Sequence, residues 1–185
     1  QDYDELLRKA DMALYEAKRK GRDNFQFFDA AIDSAAKKKI DMQDDLIDAL
    51  KRDQFSLYYQ PIIDINTRQV ASIETLLRWH HPEKGDIPVS EFISSAEESR
   101  LILPLGQWVL EQACQQQVQW QQQGISAVNI AVNLSALQFH QPNLLESVEK
   151  IINKSGIEHG KLTLEITEST LMEETDSLTA KLHAL

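Results

Sequence analysis

The spacing of hydrophobic positions changes character along the chain. Over residues 4–20, Leu7, Ala10, Leu14 and Ala17 recur at helical spacing, which predicts one amphipathic helix. Lys18, Arg19 and Lys20 fall in its last turn, where cations suit the helix dipole, and Gly21 is a natural C-cap. Phe25-Gln26-Phe27-Phe28 reads as a short strand. A helix plus one strand cannot bury both of its apolar faces, so this opening is too short to be a domain. Residues 29–52 mix Ala30, Ala31, Ala35 and Ala36 with charges before Leu46, Ile47 and Leu50 follow at helical spacing. That pattern predicts a helical connector whose second half docks onto the segment C-terminal to it. Lys37-Lys38-Lys39 reads as a solvated helix face.

From residue 55 the period shortens to that of strands. Strands are predicted over 55–63, 70–79, 128–135 and 161–168. Helices are predicted over 89–97, 102–122 and 142–154, the last capped by Gly156, and another begins at 175. Strands alternating with helices predict βα units and a parallel sheet, an α/β fold. The stretch Gln112–Gln123 has eight Gln in twelve positions, yet Leu105, Val109, Ala113 and Trp120 still mark a buried stripe. It therefore reads as a helix with a polar outer face and not as an aggregation tract.

Composition narrows the function classes. Of 185 residues, 42% are hydrophobic and 26% charged, an ordinary globular balance. Acidic residues outnumber basic ones, 29 to 19, giving a net charge of −10. That is the wrong sign for non-specific binding of DNA or RNA. The single cysteine, Cys114, excludes a disulfide framework and a cysteine-based zinc site. No apolar run is long enough to span a bilayer, and the start is not a signal peptide, so a soluble cytoplasmic chain without membrane contact is expected.

Candidate chemistry comes from strand parity. Side chains alternate between the two faces of a strand. In 128–135 the apolar set is Val128, Ile130, Val132 and Leu134, and Asn129, Ala131, Asn133 and Ser135 take the other face. In 161–168 the apolar set is Leu162, Leu164 and Ile166, opposite Thr163, Glu165 and Thr167. In the second strand Glu74 shares a face with Ser72 and Leu76, followed by Arg78. With helices on the apolar faces, Glu74, Asn133 and Glu165 converge near the C-terminal strand ends, where α/β sheets bind ligands. Hard oxygen donors of this kind suit Mg²⁺ or Mn²⁺. Strand-end Glu and Asn also serve as solvated termini or helix caps, and periodicity leaves both readings open. Glu168 lies on the opposite parity just past its strand, as a loop or helix partner.

Glu74-Thr75-Leu76-Leu77-Arg78-Trp79 resembles the Glu-Ala-Leu-Leu-Arg-Trp signature of EAL domains, the cyclic di-GMP phosphodiesterases. The resemblance continues in Tyr59-Gln60-Pro61-Ile62, His81-Pro82-Glu83, Glu91-Phe92-Ile93, Ala96-Glu97-Glu98 and Leu105-Gly106-Gln107-Trp108. It runs on through Val132-Asn133-Leu134-Ser135 and Leu164-Glu165-Ile166-Thr167-Glu168-Ser169. It covers residues 45–185, preceded by a linker at 29–44. Residues 1–28 resemble the C-terminal end of a GGDEF domain through Ala10-Asp11-Met12-Ala13-Leu14-Tyr15-Glu16-Ala17-Lys18 and Gly21-Arg22-Asp23-Asn24. A tandem GGDEF–EAL parent is implied, with any membrane tether upstream.

The resemblance implies a modified (β/α)8 barrel of the TIM type whose first strand runs antiparallel. It implies Glu74, Asn133 and Glu165 as metal ligands, Gln60 and Arg78 as substrate contacts, and Glu168 as the glutamate that steadies a later loop. The implied reaction opens cyclic di-GMP to linear pGpG with two Mg²⁺ or Mn²⁺ ions, in a homodimer formed through the EAL domain or the linker helix. Lys18 and Arg22 match residues that touch GTP phosphates in the GGDEF family, but without the rest of that site they imply no activity here. Two departures stand out: Thr75 replaces Ala on the parity opposite Glu74, and Arg100 stands where Gly is usual, at a helix C-cap position. An eight-stranded barrel takes roughly 250 residues. The family's Asp-Asp loop, its Lys and its general base are therefore expected beyond Leu185, and no catalytic base within this chain. The 185 residues alone are expected to be inactive. A degenerate domain that senses cyclic di-GMP without cleaving it, or an interaction module, is the alternative; retention of Glu74, Asn133, Glu165 and Glu168 favours hydrolysis.

Overall fold

The computed structural model describes residues 2–19, 21, 23, 25, 27, 28, 30–125 and 128–166. They fall into two compact units, Gln1–Asp45 and Leu46–Leu185. The first contains α1 (Tyr3–Arg19) and most of α2 (Ala30–Lys51). In α1 the buried stripe is Ala13 and Ala17, whereas Leu7 and Leu14 are half exposed. Of the expected face Leu7, Ala10, Leu14 and Ala17, only Ala17 is buried, so the buried stripe is shifted to the edge of that face and is lined by small side chains. Lys9 bridges Glu5 at 2.7 Å and lies over the Phe28 ring. Phe25, Phe27 and Phe28 form no strand, contrary to expectation. Phe25 and Phe27 instead pack edge to face, 5.4 Å between centroids.

In the second unit β1 (Phe55–Ile63) and β2 (Val70–His81) form an antiparallel hairpin. Its turn is built by Asp64, whose Oδ1 accepts from the N–H groups of Asn66 and Thr67 at 2.8 Å each. β4 (Asn129–Leu134) and β5 (Leu162–Ile166) then add in parallel, giving the order β1-β2-β4-β5. A short β3 (Gly85–Ile87) folds back antiparallel on the end of β2. Trp79 pairs with Phe55 of β1 on one side and Ile87 of β3 on the other. β3 therefore prolongs the edge that β4 occupies lower down.

Helices α3 (Val89–Glu98), α4 (Ile102–Gln122), the single turn α5 (Ala136–Phe139) and α6 (Leu144–Ser155) connect the strands. The expected boundaries of α3 and α4 agree within a residue. The core joins Val109, Leu110, Ala113 and Cys114 of α4 to Ile130, Val132 and Leu134 of β4 and to Val148 and Ile151 of α6. Burial pushes the Cys114 thiol up to about 11, so it behaves as a core hydrophobe. A second cluster packs Phe55, Trp79, Phe92 and Trp108, all within 6.2 Å of Phe55. Leu46 and Ala49 of the connector helix are fully buried. α3 ends at Ser99, and Arg100 follows in the left-handed region at φ 62°, the conformation a C-cap glycine would take without strain. Among the described residues no helix is long and apolar enough to cross a membrane.

Candidate metal and substrate site

The parity read from the sequence holds in all three strands. Ile130, Val132 and Leu134 face the helices, as do Leu162, Leu164 and Ile166. Phe55, Leu57 and Tyr59 of β1 and Thr75, Leu77 and Trp79 of β2 lie on the same helix-covered face. The opposite face carries Gln60, Glu74, Arg78, Asn133 and Glu165.

Strand register brings these together. Gln60 is the partner of Glu74 across the β1–β2 pair, and Asn133 is the partner of Glu165 across β4–β5. Glu74 lies opposite Ala131, two residues before Asn133. The gap is closed by a side-chain bond: Asn133 Nδ2 donates to Glu74 Oε1 at 3.0 Å. A carboxylate can only accept, so this contact assigns the amide nitrogen to Glu74 and leaves Asn133 Oδ1 as a further oxygen donor. Ala131 is fully buried between its partners Glu74 and Thr163, keeping the middle of the face low and the carboxylates uncovered. Glu74 and Glu165 are half-buried, and Asn133 and Gln60 exposed.

The donor set fits a hard divalent cation: two carboxylates and an amide oxygen. Among the described residues no three His, Cys, Asp or Glu side chains are grouped so that they could hold a metal ion. The set needs the asparagine to be complete.

Arg78 stands beyond Glu74 on the same face. Its Nη1 donates to the Leu77 carbonyl at 2.8 Å, and its guanidinium carbon lies 5.4 Å from the Tyr58 ring centroid. Glu168 and Arg22 lie outside the described residues. Lys18 is exposed on α1, in the other unit.

Three contributors were not read from the sequence. Ser135 caps α5 in a reciprocal box: its Oγ accepts from Gln138 N–H at 3.3 Å, and its own N–H and hydroxyl donate to Gln138 Oε1 at 3.2 and 3.0 Å. The Ser-x-x-Gln spacing is the signal that would have found it. The box fixes the chain two residues past Asn133. Gly106 leaves the room that Gln138 needs; a Cβ there would overlap its amide. Tyr58, an exposed strand aromatic, carried no sequence signal of its own. On the opposite face, Thr75 is buried with its hydroxyl unpartnered, facing Tyr59. Burial pushes the Tyr59 phenol up to about 12, and its ring meets Trp120 edge to face at 4.8 Å.

The sequence model of a family described as the EAL domain matches residues 43–185. The bifunctional diguanylate cyclase/cyclic di-GMP phosphodiesterase MucR of Pseudomonas aeruginosa is 40% identical over 173 residues, 94% of this chain and 25% of that protein. The cyclic di-GMP phosphodiesterase PdeR of Escherichia coli is 37% identical over 91% of this chain and 25% of that protein. A solved structure of the MucR phosphodiesterase in complex with c-di-GMP aligns with a TM-score of 0.74 at 40% identity, covering 77% of this chain and 58% of that one. The chain spans about a quarter of the length of these curated relatives.

Proposed function

Because the chain belongs to the EAL domain family, we propose that the protein hydrolyses cyclic di-GMP to linear pGpG, using divalent ions held by Glu74, Asn133 and Glu165. The observation that carries this reading is the joined row itself, in which the Asn133–Glu74 hydrogen bond ties the hairpin to the parallel strands. Mg²⁺ or Mn²⁺ in that row would neutralise the scissile phosphate and make an attacking water more acidic. Glu74 and Glu165 supply the negative charge that holds such ions. Asn133 holds the Glu74 carboxylate in place and offers Oδ1. Arg78 retains N–H donors suited to phosphodiester oxygens, and the Gln60 amide stands beside Glu74 for a further polar contact. In the reaction the water oxygen bonds to phosphorus as the P–O3′ bond breaks. The water's proton ends on the leaving oxygen, and the product carries a 5′-phosphate.

The same reading divides the chain into a GGDEF-like end at 1–28, a linker at 29–44 and the EAL portion at 45–185. The division between compact units at Asp45 supports it, as does the two-activity name of MucR.

The test uses the full-length protein with cyclic di-GMP and Mg²⁺ or Mn²⁺, following pGpG by chromatography beside a metal titration. Wild type is expected to turn over. Glu165→Gln removes a charge at constant shape and should cut both metal affinity and turnover by orders of magnitude. Asn133→Asp keeps the ion but resets its geometry, lowering turnover with less loss of metal. Binding of cyclic di-GMP without any turnover by wild type would replace hydrolysis with sensing.

A further inference from the structure

Arg78 is held from two sides, and only one of them is backbone. The Leu77 carbonyl takes one N–H, while the Tyr58 ring lies 5.4 Å from the guanidinium carbon. Tyr58 is register partner to Leu76, between the Ser56–Arg78 and Gln60–Glu74 pairs, so the ring and the guanidinium meet diagonally across the hairpin. Tyr58 is 61% exposed, which core packing does not explain. Arginine is flexible, and an arginine ordered before its anion arrives loses less freedom on binding. A ring face attracts a guanidinium without using its donors, so the remaining N–H groups stay available.

We propose that Tyr58 is a positioning residue for substrate: its ring holds the Arg78 guanidinium at the mouth of the site, ready for a phosphodiester oxygen of cyclic di-GMP. The inference rests on the substrate reading given above. Its effect on affinity runs through Arg78 and not through a contact of Tyr58 with the nucleotide.

The experiment is a double-mutant cycle in the full-length protein with Mg²⁺, reading KM and kcat for cyclic di-GMP and the melting temperature. Tyr58→Leu should raise KM about fivefold, the scale of an exposed cation–π contact, with the loss falling on KM more than on kcat. Tyr58→Phe, which keeps the ring, should restore KM to within about twofold of wild type by the same contact. In an Arg78→Ala background Tyr58→Leu should add less than about twofold, because its partner is gone. The same loss in both backgrounds overturns the proposal, since the ring would then act on substrate or on folding directly. So does an unchanged KM in Tyr58→Leu, or a loss in Tyr58→Phe equal to that in Tyr58→Leu. If wild type binds without turnover, hydrolysis fails while the cycle is read in dissociation constants. Wild type that neither binds nor cleaves cyclic di-GMP overturns the substrate reading and this inference with it. A normal wild type with an additive cycle overturns this inference alone.

Discussion

Gly106→Ala is the most sensitive probe of how α4 supports the site. A Cβ at position 106 would overlap Nε2 and Cδ of Gln138 and approach Oε1 to 2.7 Å. Gln138 is 5% exposed, and the overlapped atoms are the far end of its side chain, which can turn aside only by giving up its bonds to Ser135. It must leave the box it shares with Ser135, and the cap is worth about 1 kcal/mol. A buried amide deprived of its partners costs about 1–3 kcal/mol more. Alanine's better helix propensity returns about 1 kcal/mol. The net expectation is a destabilisation of about 1–3 kcal/mol, or roughly 2–10 °C in Tm for a domain of this size. Because Ser135 follows Asn133 by two residues, metal affinity should fall with it. The assay is thermal and urea unfolding of wild type, Gly106→Ala, Gln138→Ala and the double variant, with a Mg²⁺ titration of each. Gln138→Ala removes the obstructing amide, so Gly106→Ala in that background should be neutral or stabilising by up to about 1 kcal/mol. The reasoning is refuted if Gly106→Ala costs as much with Gln138 absent as with it present, or costs nothing in wild type.

Arg100→Gly should stabilise the protein by about 1 kcal/mol, because a non-glycine residue in the left-handed region pays a Cβ penalty that glycine escapes; equal urea midpoints would show that Arg100 is not strained at its φ of 62°. Tyr59 is raised in the folded state, so the folded protein holds its proton more tightly than the unfolded chain. Its contribution is full below the ordinary phenol value of 10 and is lost as pH climbs from there towards about 12. Tyr59→Phe should flatten that part of the alkaline stability profile, and an unaltered slope would argue against the burial.

The shared face of the candidate site was legible because a period of two puts Glu74, Asn133 and Glu165 opposite apolar sets, and that needs no tertiary information. The antiparallel sense of β1 was not legible from periodicity, since parallel and antiparallel strands alternate alike; it came from the family resemblance. The link from Ile63 to Val70 is nonetheless too short for a crossover. β3 and α5 have three and four residues and show no period. In α1 the predicted face is covered only at its Ala17 edge, because pattern alone does not say how much partner surface a small unit offers. Tyr58 looked like any strand aromatic, as cation–π contacts depend on a diagonal neighbour that only the register supplies.

The bond between Asn133 and Glu74 spans 59 residues of sequence, so it joins a local hairpin to a non-local strand pairing. The β1–β2 hairpin closes over a short loop and can set Gln60, Glu74, Tyr58 and Arg78 in place early. Asn133 reaches Glu74 only through the parallel β2–β4 pairing, a non-local contact of the class that loop-closure entropy makes slow. A chain arrested between those steps would carry the arginine end of the site without its cation end. If the proposed metal role holds, competence to bind the ion should be acquired only once both ends of that bond are in place, and the hairpin alone should not hold metal.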